Sequence, residues 1–141
     1  MSAMEQIAAK KICLKHAGWK KGNYRKTVYN TLARWLAEED EETGKTEPDY
    51  SLANNIFYRA SKYLPDLYKI DEERKIIGLM EIEDFSKLKA DKLKAYADFW
   101  FDADCYEISI EVYTADRYGR DIRYLDLFPA FCHATEEANK D

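Results

Sequence analysis

The sequence predicts a single α/β (α+β) domain in which N-terminal helices are followed by a β-hairpin, a crossover helix and further strands. Three observations predict it. Apolar residues recur at helical spacing up to Tyr63, the period changes to that of extended chain after Pro65, and a second helical stretch then separates two strand-like runs. At 141 residues the chain has the size of one domain, long enough to bury a core and too short for two. The chain is expected to divide into a basic helical part at 1–48, a core at 51–127 and a C-terminal tail at 128–141.

Residues 3 to 16 carry Ile7, Ala8, Ile12 and Leu14 near helical spacing, and Gly18 and Gly22 around Trp19 close this first helix with a turn. From Tyr24 to about Glu38, Val28, Leu32, Trp35 and Leu36 recur at i, i+4, i+7 and i+8, the pattern of an amphipathic helix packed on a core. The acidic run from Glu38 to Glu42, with Thr43-Gly44-Lys45 behind it, reads as a solvated loop reaching Pro48. Ser51 is the expected cap of a third helix, with Leu52, Ile56, Tyr58 or Arg59, and Tyr63 on its stripe until Pro65 forbids extension.

Pro65 to Ile70 and Lys75 to Glu83 are extended segments, and Asp71-Glu72-Glu73-Arg74 between them makes a hairpin the simplest connection. In the second strand Ile77, Leu79, Glu81 and Glu83 share one face, and Ile76, Gly78, Met80 and Ile82 share the other. Both faces are apolar until Glu81, which predicts a central strand covered on both sides. A helix is expected from about Leu88 to Ala103, with Ala90, Leu93, Ala97 and Trp100 on its stripe and Lys89, Lys92 and Asp98 elsewhere. Residues Tyr106 to Tyr113 alternate as a strand with one buried face. Asp116 to Arg120 form a turn, and Ile122 to Phe128 return as an edge strand or short segment.

Apolar residues make up 46% and charged residues 35%, which fits a globular fold with a solvated surface and excludes a disordered chain. No apolar run approaches the roughly 20 residues that cross a bilayer. Met1-Ser2-Ala3-Met4-Glu5-Gln6 lacks a charged head before an apolar stretch, so a cytoplasmic protein is expected. Cys13, Cys105 and Cys132 are odd in number and far apart, which argues against a disulfide framework. Net charge is −5, unevenly spread: in residues 1–35 eight basic groups against Glu5 alone give +7, leaving −12 for the rest. A basic arm can neutralise the phosphates of a polyanion, and Lys20, Lys21, Arg25 and Lys26 are its candidate DNA contacts. A solvated lysine-rich helix face is the alternative reading.

The start of one hairpin strand lies beside the end of its neighbour, so Asp66 is expected to approach Glu81 and Glu83. Hard divalent cations such as magnesium or manganese favour such oxygen-rich sites, with Asp66 and Glu81 as metal ligands, and can activate water for phosphodiester cleavage. Pro65-Asp66, a gap of 14 residues and then Glu81-x-Glu83 resembles the PD-(D/E)xK motif of restriction-endonuclease-like nucleases. The succession of hairpin, crossover helix and strand is similar to theirs. Glu81-Ile82-Glu83-Asp84 followed by Lys92-Leu93-x-x-Tyr96 resembles the replication-relaxation group of mobile-element proteins. The resemblance covers about residues 51 to 127.

The resemblance implies a restriction-endonuclease-like core in a bacterial, phage or mobile-element protein acting on DNA, with Asp66, Glu81, Glu83 and Lys87 as catalytic residues and magnesium or manganese as cofactor. The lysine that the motif places two residues after Glu81 is here Glu83, and a glutamate cannot offset developing negative charge. Lys87, Lys89 and Lys92 are the candidates for supplying that cation. A non-enzymatic protein-interaction or regulatory module, including an inhibitor that mimics nucleic-acid charge through Glu38–Glu42, is the competing expectation.

Other candidates are weaker. Cys13-x-x-His16 with Cys132-His133 holds zinc-binding atoms but requires the chain ends to meet. Cys105 is expected as a small buried residue, and most of the eleven tyrosines and three tryptophans fall on core stripes rather than stacking platforms. Arg117, Arg120 and Arg123 alternate around a turn where they could touch phosphate or an acidic partner.

Overall fold

A computed structural model describes residues 2–82 and 88–132. The elements run α1 (Ala3–Lys15), α2 (Tyr24–Trp35), β1 (Glu38–Glu39), β2 (Thr46–Glu47), α3 (Tyr50–Phe57), a 3₁₀ turn (Ala60–Lys62), β3 (Leu67–Asp71), β4 (Ile76–Ile82), α4 (Ala90–Asp104), β5 (Ser109–Ala115) and β6 (Arg123–Leu125). The main sheet is mixed, in the order β3-β4-β5-β6: β4 is antiparallel to β3 and parallel to β5, and β6 closes the edge antiparallel to β5. Parallel neighbours need a crossover, and α4 is that crossover. None of the described helices is long and apolar enough to cross a membrane.

The apolar run in β4 makes it the inner strand, buried from Ile77 to Ile82. One sheet face carries Tyr68, Ile77, Leu79, Ile110 and Val112 and packs under α2, α3 and α4 through Val28, Leu32, Ile56, Phe57, Tyr96 and Phe99. The opposite face carries Leu67, Met80, Ile82 and Ala115 and receives Ala8, Ala9 and Ile12 of α1. On α1 it is therefore Ala8, Ala9 and Ile12 that face the sheet, while Ile7 and Leu14 point to solvent, Leu14 at 80% exposure.

Several boundaries differ from the sequence reading for local reasons. Asp49 rather than Ser51 caps α3, its carboxylate accepting the Leu52 N–H at 3.0 Å. The acidic run is not wholly loop, because Glu38–Glu39 pairs with Thr46–Glu47 in a short exposed ladder around a turn at Gly44. Tyr106 and Glu107 cap α4 instead of starting β5: Glu107 adopts φ 63° and the Ile108 N–H returns to the Ala103 carbonyl. The buried alternation Ile108, Ile110, Val112 survives, but Tyr106 and Cys105 are exposed. Beyond β3 the backbone of Lys20 exchanges hydrogen bonds with Tyr68, covering that sheet edge.

Candidate functional site

Asp66 and Glu81 meet because of hairpin register. Leu67 pairs with Met80, so one residue further out Asp66 stands opposite Glu81. The Asp66 N–H donates to the Met80 carbonyl at 2.9 Å, and its Oδ2 accepts the Ile82 N–H at 2.6 Å, which holds the carboxylate across the end of β4. Glu81 follows Ile77 and Leu79 on the face beneath the helices and is 2% exposed.

The fourth helix supplies the partners. Lys92 and Tyr96, four residues apart, lie on the same side of α4. The Lys92 ammonium is 2.6 Å from Oε1 of Glu81 and also donates to the Leu64 carbonyl at 3.1 Å, and the Tyr96 hydroxyl donates to the same Oε1 at 2.8 Å. Lys92 therefore turns inward, against its expected place off the apolar stripe.

Burial pushes the Glu81 carboxyl up to about 7, although Lys92 and Tyr96 pull it down and Asp66 adds to the rise. Asp66 is raised as well, by burial first, against the Ile82 N–H and Lys92. Burial and the charge of Glu81 raise the hydroxyls of Tyr96 and Tyr24. Among the described residues, one ammonium thus serves two carboxylates in a dry setting.

In front of Asp66 lies a cavity of about 570 Å³ lined by Lys21 to Lys26, Leu64, Pro65, Asp66 and Tyr68. Three of the four predicted DNA-contact residues, Lys21, Arg25 and Lys26, share it with Asp66. Lys20 does not line it and contributes through its backbone at Tyr68. The Tyr68 hydroxyl donates to the Gly22 carbonyl at 2.8 Å, and Arg25 Nε donates to the Ser61 carbonyl, which fixes the loop before α2. Tyr24, at the start of α2, is 4% exposed and reaches under the same cavity. Its sequence position marks it only as a helix residue; tertiary packing alone brings it near Glu81.

Glu83 and Lys87 lie outside the described residues, as does His133. Lys89 precedes α4 and is exposed. Among the described residues no three histidine, cysteine or acidic side chains gather as a metal group, and Cys13, Cys105 and Cys132 are free thiols. Arg123 is paired with Asp121 at 3.0 Å and Arg117 lies over the Tyr118 ring.

For a divalent cation the donor chemistry is of the kind that magnesium or manganese take: two carboxylates, each with one oxygen outside its described protein hydrogen bonds. Such ions take one or two protein carboxylates and complete their shell with water and phosphate oxygens. Lys92 is the competitor at Glu81. Comparison with models of known protein families, with curated proteins and with solved structures finds no match to this chain.

Proposed function

We propose that this chain is a restriction-endonuclease-like protein that engages DNA along the basic cavity and hydrolyses phosphodiesters at a metal-dependent centre of Asp66, Glu81 and Lys92. The single observation that carries this reading is the Lys92–Glu81 contact at 2.6 Å. The resemblance in sequence lacks a lysine at position 83, and Lys92 supplies an ammonium to the same carboxylate from the helix instead.

Each residue has a definable task. Lys21, Arg25 and Lys26 attract and position the phosphate backbone in front of Asp66. Lys92 spends two of its three N–H donors on Glu81 and Leu64, so the third is available to a phosphate oxygen and offsets the charge that develops there. Without a metal, Glu81 is raised to about 7 and holds its proton at Oε2, since Oε1 accepts from Lys92 and Tyr96. Tyr96 holds Oε1 in place. A magnesium or manganese ion held by Asp66 and Glu81 would lower the pKa of attacking water and polarise the phosphate.

The test is nicking of supercoiled plasmid with manganese. The wild-type protein nicks it, and Asp66→Ala, Glu81→Ala and Lys92→Ala each lose the activity at least about a hundredfold, the scale for removing one preorganised charge-stabilising group. Nicking that persists in Lys92→Ala contradicts its role.

One observation favours a second reading. Lys92 and Tyr96 already satisfy Oε1 of Glu81 without a metal, an arrangement that suits a domain retained for binding rather than cleavage. The exposed acidic ladder at Glu38–Glu39 and Thr46–Glu47 would then meet a basic protein surface, as a charge mimic does. Under this reading manganese does not bind.

A further inference from the structure

We propose that the cavity on the α1 side of the sheet binds a nucleoside monophosphate with an amino-bearing base. The base lies against Trp19 with its amino group on Glu111, and the phosphate meets Lys69 and Arg74. The site is separate from the Asp66–Glu81 centre, because Gly78 of β4 faces the α1 side while Glu81 faces the helices on the other. It does not depend on the DNA-engaging reading.

Helix α1 covers only one end of its sheet face. Ala8, Ala9 and Ile12 pack on Leu67, Met80, Ile82 and Ala115, and beyond them the face is shared by Trp19, which enters from the turn after α1, and Tyr113 of β5. The Lys20 backbone, bonded to Tyr68 at 2.9 and 3.1 Å, pins that turn to the sheet edge, so Trp19 is held before any ligand arrives. The indole edge rests on Gly78, where a methyl group would lie 3.2 Å from Cη2. The Tyr113 ring stands at 86° to the indole with centroids 5.7 Å apart. Both rings line a cavity of about 440 Å³, within the size range of small-molecule sites. Each is only half-buried, which leaves aromatic surface for a flat ring to pack on.

Charges are sorted across the strands. Lys69 on β3, Gly78 on β4 and Glu111 on β5 are register partners in one row, so the backbones of Lys69 and Glu111 stand two strand spacings apart, about 10 Å. Gly78 puts no side chain between them. Among the described residues Lys69, Arg74 and Glu111 have no ion-pair partner. Glu111 accepts the Tyr113 hydroxyl on Oε2 at 2.6 Å, and burial, reinforced by Glu111, raises that hydroxyl to about 12, so it remains the donor. Oε1 is outside the described hydrogen bonds and faces a ligand donor. At the other end Lys69 and Arg74 outnumber Asp71, whose Oδ1 accepts the Arg74 N–H at 3.0 Å, which leaves that end positive.

A ligand that satisfies both ends is elongated, with a donor at one tip, a flat ring and an anion at the other tip. An α-amino acid carries both charges on one carbon and is too short to meet both ends. An inorganic anion leaves Glu111 and the two rings unused. A nucleoside monophosphate has amino group, ring and phosphate in the required order, and its phosphate oxygens accept from the Lys69 ammonium and the Arg74 guanidinium.

Calorimetry with chelator present tests this with AMP, with IMP, which has a carbonyl oxygen in place of the amino group, and with adenosine, which lacks the phosphate. Wild type binds AMP, and binds IMP and adenosine each about tenfold more weakly, the scale of one lost charge-assisted hydrogen bond. Glu111→Gln abolishes the preference for AMP over IMP and keeps that over adenosine. Lys69→Met with Arg74→Met does the reverse. A misfolded variant would lose both preferences together with all binding, so the paired pattern separates ligand contacts from structural damage. Hexadeoxyadenylate with a 5′-phosphate distinguishes the sources of the ligand: affinity equal to that of AMP places a strand end in the cavity, and binding confined to AMP assigns it a free nucleotide. The proposal is overturned if wild type binds no AMP at millimolar concentration, if AMP and IMP bind equally, or if either variant keeps both preferences. No metal is present in this experiment, so its outcome is separable from that of the Asp66–Glu81 centre, which manganese binding reports.

Discussion

The ammonium of Lys92 and the carboxylate of Glu81, eleven residues apart in sequence and on different elements, meet at 2.6 Å in the layer between the sheet and its helices. Neither strand nor helix is unusual by itself. Their contact converts a buried, raised carboxylate into a positioned one, and everything proposed for the site depends on it.

Replacing Lys92 by methionine keeps the apolar stem and deletes the charge. Glu81 then retains only Tyr96 among its described hydrogen-bond donors. Removing one partner of a buried pair is costly, but a carboxyl raised to about 7 can escape by taking a proton. The expected loss is about 2 kcal/mol at pH 8 and much less at pH 5.5, measured by urea unfolding at both values. Equal losses would show that Lys92 acts only by packing.

Glu81 also sets a pH dependence of stability. Its folded pKa of about 7 exceeds the ordinary 4.5, so between those values the folded state holds the proton more tightly than the unfolded chain. Stability contributed by that proton is present below about pH 4.5 and lost as pH rises through 7; Asp66, also raised, acts in the same direction. The difference in unfolding free energy between wild type and Glu81→Gln therefore changes by about 3 kcal/mol between pH 4.5 and 7.5, in the sense that wild type weakens as pH rises. A pH-independent difference would contradict a buried, raised Glu81.

Gly119 tests how α1 is held. It sits at φ 75°, and a methyl group there would lie 3.0 Å from the Ala8 carbonyl oxygen, a backbone atom that cannot swing away. Gly119→Ala is expected to destabilise by about 1–3 kcal/mol. Thermal unfolding checks this, and an unchanged Tm would mean that α1 does not rest on this turn.

The basic residues divide in a way that their spacing alone does not suggest. Lys21→Ala and Lys26→Ala should each weaken DNA binding, and on duplex DNA each should reduce the slope of log K against log salt by about 0.9 for every phosphate no longer neutralised. Lys20→Ala should change little, because Lys20 serves through its backbone at Tyr68. Titrations at several salt concentrations separate the two. Equal effects at all three positions would indicate diffuse charge attraction rather than a cavity.

The hairpin was legible because its period, its four-residue charged turn and the apolar run of β4 all agree, and a fixed register then sets Asp66 against Glu81. Lys92 was legible only as one of three lysines, since helical spacing ties it to Tyr96 but does not say which face meets the sheet. The Tyr106–Glu107 cap stayed hidden because clean alternation from Tyr106 onward imitates a strand, while the end of α4 is settled by a left-handed Glu107. Asp49 was hidden behind Ser51, an equally good capping residue two positions later. Tyr24 carries no local signal: only tertiary packing brings its buried hydroxyl within the electrostatic reach of Glu81.

Manganese titration calorimetry on wild type, Asp66→Ala and Glu81→Ala, run alongside Lys92→Met, tests the central claim most directly. Wild type is expected to bind one manganese ion at millimolar concentration or below, Asp66→Ala and Glu81→Ala to abolish that binding, and Lys92→Met to bind more tightly because the competing ammonium is gone. Absence of any manganese or magnesium binding by wild type at millimolar concentration would contradict a metal-dependent centre and leave Lys92 as the permanent counter-ion of Glu81.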